Sequence, residues 1–405
     1  MKSSIKLNNS ALENPVLAPE IQHFIQDHIG ADITRLALQK NPFPAVSWLE
    51  ILNQIAAKTK SKEKLPTWFN ATDIIYPAKI SIEQTSSEKT ALYKSQIVSG
   101  ETLIDLTGGF GVDDFYFAKA VKKVIHCEIN PELSTLVRHN FQALGIDSIT
   151  CITGDSTEIL KTIPEKLDWI YIDPSRRSDH KGKVFMLQDC LPNVPELLDF
   201  YFEHTDALLI KTAPILDLSS GISELSHVKN IHIVAVENEV KELLWELSKG
   251  YNGAITLKTV NITNSGMEYF QSTHKESIAD VQYSLPKKYL YEPNSAIMKS
   301  GSFDAISSTF HVEKLHQHSH LYTSGKLIDF PGRRFEIQSV VPYQKKEMSQ
   351  FKGKKVNITT RNFPDSVENI RKKWKINDGG DDYCFFTTDV NTNKIILICT
   401  KIKNT

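Results

Sequence analysis

Residues 101–113 read Glu-Thr-Leu-Ile-Asp-Leu-Thr-Gly-Gly-Phe-Gly-Val-Asp, and they gather in thirteen positions the residue types a small-molecule site needs. Thr102 to Leu106 predict a short buried strand, with Asp105 breaking its apolar run near the end. Thr107 to Gly111 predict a glycine-rich turn. From Val112 the pattern is helical, because Val112, Phe115, Phe117, Ala118 and Val121 recur at spacings of about three and four. Strand, glycine turn and helix start together describe a nucleotide-type ligand site at the carboxyl edge of a parallel sheet. Glycines let a ligand approach the backbone where a Cβ would collide. The dinucleotide fingerprint G-x-G-x-x-G is not met, since counting from Gly109 puts Asp114 at the third glycine. A glycine turn after a strand is often purely structural, so the assignment needs further groups.

Those groups stand at successive predicted strand ends. Glu128 follows Lys-Val-Ile-His-Cys, and Asp155 follows the strand that ends near Gly154. A carboxylate accepts two hydroxyl hydrogen bonds, which suits a sugar. Each acid alone reads equally well as a surface carboxylate, but Asp105, Glu128 and Asp155 at three successive strand ends point to one site. The fourth strand ends Trp169-Ile-Tyr-Ile-Asp173-Pro174-Ser175-Arg176-Arg177. Two consecutive arginines suit a phosphate or a carboxylate, with an ion pair to nearby acids as the plainer reading. Lys211 ends an apolar strand, Lys94 precedes the first strand, and Glu237 and Glu239 close a later one.

The turn Asp105-Leu-Thr-Gly-Gly-Phe-Gly111 resembles motif I of the class I S-adenosylmethionine-dependent methyltransferases. That resemblance implies S-adenosyl-L-methionine as cofactor, bound by Asp105, Thr107, Gly108, Gly109, Gly111, Glu128 on the ribose and Asp155 near the adenine. It places Asp173 and Pro174 at the motif IV position beside the transferable methyl group. Amino-directed nucleic acid methyltransferases carry D/N-P-P-Y/F/W there, whereas here Ser175 and Arg176 replace the second proline and the aromatic. The departure weighs against an exocyclic amine as target. Lys94, Asp173, Lys211 and Glu237 or Glu239 follow the order of the K-D-K-E tetrad of ribose 2′-O-methyltransferases, although a fold-stabilising ion pair stands slightly ahead of that reading. The expected catalytic residues are therefore Asp173, Pro174 and Lys211, with Arg176 and Arg177 on the substrate.

A wider resemblance runs from about residue 84 to the end. With the glycine turn and Asp173-Pro-Ser-Arg-Arg177, the stretches Tyr291-Glu-Pro-Asn294, Phe330-Pro-Gly-Arg-Arg-Phe-Glu336 and Asp378-Gly-Gly-Asp-Asp-Tyr383 resemble bacterial class I methyltransferases with a C-terminal THUMP-like domain. True THUMP domains bind RNA, usually tRNA, so RNA is the implied partner, with tRNA favoured. A methyltransferase of a small molecule or protein, with the basic module as a dimer surface, is one alternative. A non-catalytic RNA-binding protein with a retained cofactor fold is the other.

The elements that must position these residues follow from pattern and composition. The chain has 405 residues, 40% hydrophobic and 23% charged, as an ordinary globular protein of two or three domains does. Its net charge of −1 is unevenly spread. Residues 331–405 hold 15 lysines and arginines against 8 aspartates and glutamates, a net of +7, which leaves −8 on the rest. Such a basic module on an acidic body fits a nucleic acid partner. None of the five cysteines, Cys127, Cys151, Cys190, Cys384 and Cys399, forms a C-x-x-C, so no zinc site is expected. The histidines His311, His316, His318 and His320 read as a surface strand. No signal-peptide core and no run of about 18 apolar residues is present, so a cytoplasmic protein with no membrane contact is expected.

Residues 1–85 predict a small helical region, with amphipathic stretches at Glu20 to Ile29 and Val46 to Ala57. Residues 86–265 predict the methyltransferase domain, a doubly wound α/β fold. Its strands are expected at 102–106, 123–128, 149–153, 167–172, 207–211, 231–236 and 254–262, with helices notably at 131–144 and 238–248. The resemblance implies a Rossmann-like seven-stranded sheet whose last strand is antiparallel. Residues 266–330 are expected to be a ferredoxin-like or irregular connecting region, and 331–405 an α+β THUMP-like module ending in a hairpin around Asp389 to Lys394.

Overall fold

The computed structural model describes residues 14–77, 82–176, 186–276 and 281–403. The chain divides into two compact units, one of Met1–His227 with Trp245–Tyr251, the other of Val228–Leu244 with Asn252–Thr405.

In the first unit a parallel sheet carries β1 (Thr102–Asp105), β2 (Lys123–Glu128), β3 (Ile149–Thr153), β4 (Trp169–Ile172) and β7 (Ala207–Thr212) in the order β7-β4-β1-β2-β3. Leu103 lies opposite Val124 on one side and Trp169 on the other, so β1 is central and its Leu103 and Ile104 are fully buried. Continuous apolar runs are what a parallel strand covered on both faces requires. After β4 the chain makes a two-residue ribbon, β5 (Ser175–Arg176) paired antiparallel with β6 (Cys190–Leu191).

The N-terminal residues form helices at Pro19–Asp27, Ile33–Ala37, Trp48–Lys64 and Pro66–Asn70. Ile21, Ile25, Leu36, Ile51, Leu52 and Ile55 make their own small core. The region is tied to the site from behind, because Trp68, Ile74 and Tyr76 pack with Phe110, Val112 and Phe115. Two buried amides clamp the extended segment between them. Asn140 bonds both the amide and the carbonyl of Ile75, at 2.9 and 2.8 Å, and Gln54 does the same for Tyr76, at 2.9 and 2.7 Å.

The second unit holds β8 (Val228–Val236), β10 (Thr256–Thr263), β11 (Gly266–Thr273) and β9 (Glu239–Ser248) as far as Leu244, in the order β11-β10-β8-β9. Residues 238–248, expected as a helix, are therefore a strand. The turn before it has Glu237 and Asn238 at φ 48° and 64°, the two positive values of a type I′ hairpin. Leu243, Leu244, Trp245 and Leu247 are all fully buried, and a short buried apolar run does not distinguish helix from strand by period. The reversed strand expected at 254–262 is thus β9, while β10 runs parallel to β8 and β11 antiparallel to β10.

A seven-stranded sheet completes this unit. It contains β12 (Tyr289–Pro293), β13 (Glu313–Lys314), β14 (Tyr322–Ser324), β15 (Gly332–Pro342), β16 (Asn357–Arg361), β17 (Asp382–Thr388) and β18 (Lys394–Lys401) in the order β13-β14-β12-β15-β18-β17-β16. Between residues 281 and 330 the chain also forms helices at Ser295–Ser300 and Phe303–Phe310. β12 pairs with β15 across residue 331. Buried Glu292 holds Arg333 of β15 and Arg361 of β16. His316 and His318 lie in the turn between β13 and β14 rather than in a strand. No helix of the described residues is long and apolar enough to cross a membrane.

Candidate active site at the glycine turn

The site begins with how Asp105 ends β1. Its Oδ1 accepts the Thr107 amide at 2.7 Å and the Thr107 hydroxyl at 3.0 Å. The same hydroxyl oxygen accepts the Asp173 amide at 2.7 Å, so the ends of β1 and β4 are tied through one threonine. Asp105 is buried, and burial, then the neighbouring Asp114, pushes its carboxyl well above the usual range.

The turn itself is set by glycines. Gly109 and Gly111 have φ of 56° and 77°, and Gly111 precedes the Val112–Phe117 helix. A Cβ on Gly108 would lie 2.2 Å from the His126 ring, and one on Gly111 2.5 Å from Phe141. A Cβ on Gly109 would meet nothing closer than the Thr107 carbonyl at 3.7 Å, so this face is open. Glu128 braces the turn. Its Oε2 accepts the Gly109 amide at 3.1 Å and its Oε1 the Asn130 amide at 2.8 Å. A carboxylate has about four acceptor positions, so two remain for hydroxyls.

Beneath the turn, His126 Nδ1 and Asp114 Oδ2 are 2.6 Å apart, and both side chains are fully buried. Among the described residues His126 Nε2 has no hydrogen-bond partner, and Asp114 faces the Asp105 carboxyl. Burial lowers the imidazole, and burial followed by the Asp113 charge raises the Asp114 carboxyl, so the charged form of each partner beneath Gly108 is disfavoured.

Two lysine–carboxylate pairs complete the site. Lys211 binds the Asp173 carboxylate. Lys94, fully buried, lies 3.1 Å from Asp113 Oδ1. Asp113 Oδ2 also accepts from Ser86 Oγ and Tyr171 OH, both at 2.8 Å. Burial alone would raise Asp113, but Lys94, Lys211 and these two donors outweigh it and hold the carboxyl below its usual value. Ser86, Asp105, Thr107, Gly109, Tyr171 and Asp173 line one cleft. Ser86, Asp113 and Tyr171 escape the sequence reading, because a serine near a helix cap, a second acid in a helix and a strand tyrosine carry no motif.

The remaining candidates are placed unequally. Gly108, like Thr107, faces the cleft, and Pro174 is buried behind Asp173. Asp155 caps the Ser156–Lys161 helix, its Oδ1 accepting the Thr157 and Glu158 amides at 2.9 and 3.2 Å. It is not among the residues lining this cleft. Arg176 pairs through its backbone with Cys190, and its side chain lies outside the described residues, as does all of Arg177. Of the tetrad order, Lys211 meets Asp173 and Lys94 meets Asp113, while Glu237 occupies the β8–β9 turn of the second unit. No group of three or more histidine, cysteine, aspartate or glutamate side chains among the described residues is arranged to hold a metal ion.

The residues present fit an adenosyl cofactor. Positive-φ glycines give close backbone approach, and a braced Glu128 keeps acceptors for a diol.

Residues 289–331 match the family description of a ferredoxin-like domain, and residues 332–401 that of a THUMP domain-like module. A crystal structure from Porphyromonas gingivalis W83, designated a candidate methyltransferase, is 30% identical and superposes with a TM-score of 0.85 over 96% of this chain and 99% of that one. A Mycobacterium tuberculosis H37Rv protein described as an uncharacterized S-adenosylmethionine-dependent methyltransferase is 22% identical over 271 residues, 67% of this chain and 71% of its own. An uncharacterized RNA methyltransferase of Caldanaerobacter subterraneus subsp. tengcongensis is 33% identical over 79 residues, 20% of this chain and 18% of its own length.

Proposed function

The chain belongs to the S-adenosylmethionine-dependent methyltransferases with a C-terminal THUMP-like domain, and from that premise we propose that it methylates RNA, with tRNA as the favoured substrate. The protein is an enzyme and its cofactor is S-adenosyl-L-methionine, which supplies an electrophilic methyl group on a sulfonium.

The chain's own residues divide the remaining work. Asp105, Thr107, Gly108, Gly109 and Gly111 form the cradle, and Glu128 takes the ribose hydroxyls with the acceptors its two backbone bonds leave over. Asp155 keeps one carboxylate oxygen for the adenine amine. Holding donor and acceptor in line is a large part of such catalysis. Asp173 orients the attacking group, Pro174 stiffens the turn behind it, and Lys211, paired with Asp173, assists proton removal. Lys94, fully buried, holds the Asp113 carboxylate at the wall of the cleft. Arg176 and Arg177 hold a substrate phosphate.

The observation that carries the RNA reading is the net charge of +7 on residues 331–405, the stretch whose match is THUMP-like. Phosphate contacts supply affinity while the pocket selects the atom. The name of the Caldanaerobacter relative adds support over its 79 aligned residues. The test is to incubate the protein and tritiated S-adenosylmethionine with RNA from a strain lacking the gene, then to analyse nucleosides. One labelled nucleoside, absent with RNA from the parent strain, is expected. Label in protein or small molecules, with none in RNA, would overturn the reading.

A further inference from the structure

A second cleft, of about 730 Å³, lies wholly within the second unit. Three of the sequence motifs that the methyl-transfer site leaves unused meet at it: Asn294, Gly332 to Arg334, and Gly380 to Tyr383. Its size falls in the roughly 300–1,000 Å³ range of ligand pockets.

The floor is a set of oriented polar groups. Glu268 Oε2 accepts from the Asn261 and Asn294 side-chain amides, both at 2.9 Å. Asn261 Oδ1 accepts the Asn238 amide at 2.8 Å, and Asn294 Oδ1 the Ile297 amide at 3.1 Å. Each amide is therefore fixed in one orientation, and Asn261 and Asn294 are buried. Glu268 Oε1 is not used by these bonds. Backbones approach closely around this floor. A Cβ on Gly332 would lie 2.2 Å from the Glu292 carbonyl oxygen, and one on Gly380 2.6 Å from that of Lys355. The rim carries four cations, of which Arg333 pairs with Glu292 and Arg334 with Asp329. Arg333 and Arg334 arrive on β15, and Lys401 and Lys403 are exposed at the end of β18 with no carboxylate in ion-pair distance among the described residues. Half-buried Tyr383 adds an aromatic face.

We propose that this cleft takes a single-stranded segment of the RNA substrate, with phosphates on Lys401, Lys403 and Arg334, and a 2′-hydroxyl or base amine on Glu268. The inference rests on the RNA reading above and adds the place where the strand lies. Single-stranded nucleic acid is bound by cations along the backbone and aromatic faces for bases. RNA also brings donors that can meet a carboxylate, the 2′-hydroxyl among them. An acidic peptide would also satisfy the lysines, but it lacks the row of 2′-hydroxyl donors that Glu237 and Glu268, which line the same cleft, can accept.

The experiment is fluorescence anisotropy of the full chain with a labelled 12-nucleotide single-stranded RNA and its DNA counterpart, over a salt series. Lys401→Glu with Lys403→Glu should weaken RNA binding roughly tenfold or more and flatten the log–log salt slope by about 0.7 per lost phosphate contact. Lys345→Glu with Lys346→Glu, the same charge change outside the cleft, should cost markedly less. Glu268→Gln should narrow the preference for RNA over DNA. Melting curves confirm that the variants fold. If the unaltered chain binds no RNA, the functional reading falls and this proposal with it. If the chain binds RNA and the two lysine pairs weaken it equally or not at all, the cleft assignment alone is overturned.

Discussion

Glu128 and Gly109 meet at a single hydrogen bond, and the two residues predict separable losses. Glu128→Ala removes the brace on the turn and the ribose acceptors together, each contact costing about 0.5–3 kcal/mol. Gly109→Ala meets open space, so the fold should lose only the roughly 1–2 kcal/mol of a left-handed residue, while the cradle loses cofactor affinity. Calorimetry with S-adenosylhomocysteine measures both, and unchanged affinity in two folded variants rules out the assignment. Asp173 and Lys211 separate the chemistries. Asp173→Ala should abolish turnover and leave S-adenosylhomocysteine binding nearly unchanged. Lys211→Met should cost about 10²-fold or more in rate if the target is a ribose hydroxyl that needs an assisting base. A nearly silent Lys211→Met would move the target to a base nitrogen, and a silent Asp173→Ala would show the active site to be misplaced.

At the scale of elements, the glycine turn is held from below by a strand and a helix. His126 of β2 reaches Asp114 of the Val112–Phe117 helix, with Asp105 and Glu128 favouring a proton on the ring and Arg138 opposing it. Burial is the largest influence and lowers the ring below its ordinary value of about 6.5. The unfolded chain therefore takes up a proton, as pH falls below about 6.5, that the folded ring refuses, and stability drops. His126→Gln keeps Asp105 and Asp114 but loses this linkage. The stability gap between wild type and variant in urea should thus be constant above neutrality and narrow towards pH 5.5. A gap that widens in acid would show the ring to be charged in the fold. Behind the same turn, Asn140→Ala strips both bonds from Ile75, and each unpaired buried group costs about 1–3 kcal/mol. Hydrogen exchange at 74–77 should rise well before global unfolding, and unaltered protection would remove the clamp from the account.

At the scale of the molecule, the composition boundary near residue 331 is not a boundary of the sheet. β12 and β15 pair on either side of it, and the Asn294 amide donates to the Pro331 carbonyl. Glu292 of β12 is buried between Arg333 and Arg361. Cutting after residue 331 removes both arginines, leaving a buried carboxylate unpaired and β12 without a partner on one edge. Such a truncation should aggregate or be cleaved by protease within 281–331. Recovery of this truncation as a monomer, with 281–331 protected, would show that the segment folds without β15. A basic module removed at 331 is thus a poor probe of RNA affinity, and point charge changes are the cleaner one.

The glycine turn, the three strand-end acids and Asp173 were legible because their signals are local: residue type, spacing and position after an apolar run. The α+β character of the C-terminal module was legible for the same reason, and the hairpin around Asp389 to Lys394 lies where its turn residues put it. Residues 238–248 were not, because the turn before them reaches positive φ with glutamate and asparagine instead of glycine, and a buried run has no polar face to betray its period. The residues that join Lys94 to the site were also hidden. Ser86, Asp113 and Tyr171 lie 27 and 58 positions apart along the bonds they make, and only packing brings them to one carboxylate. Arg371, one of the cations counted in residues 331–405, is committed to the Asn377 and Val356 carbonyls and to Asp378. Charge counts report where cations are in the chain, whereas tertiary contacts decide which of them an RNA can reach.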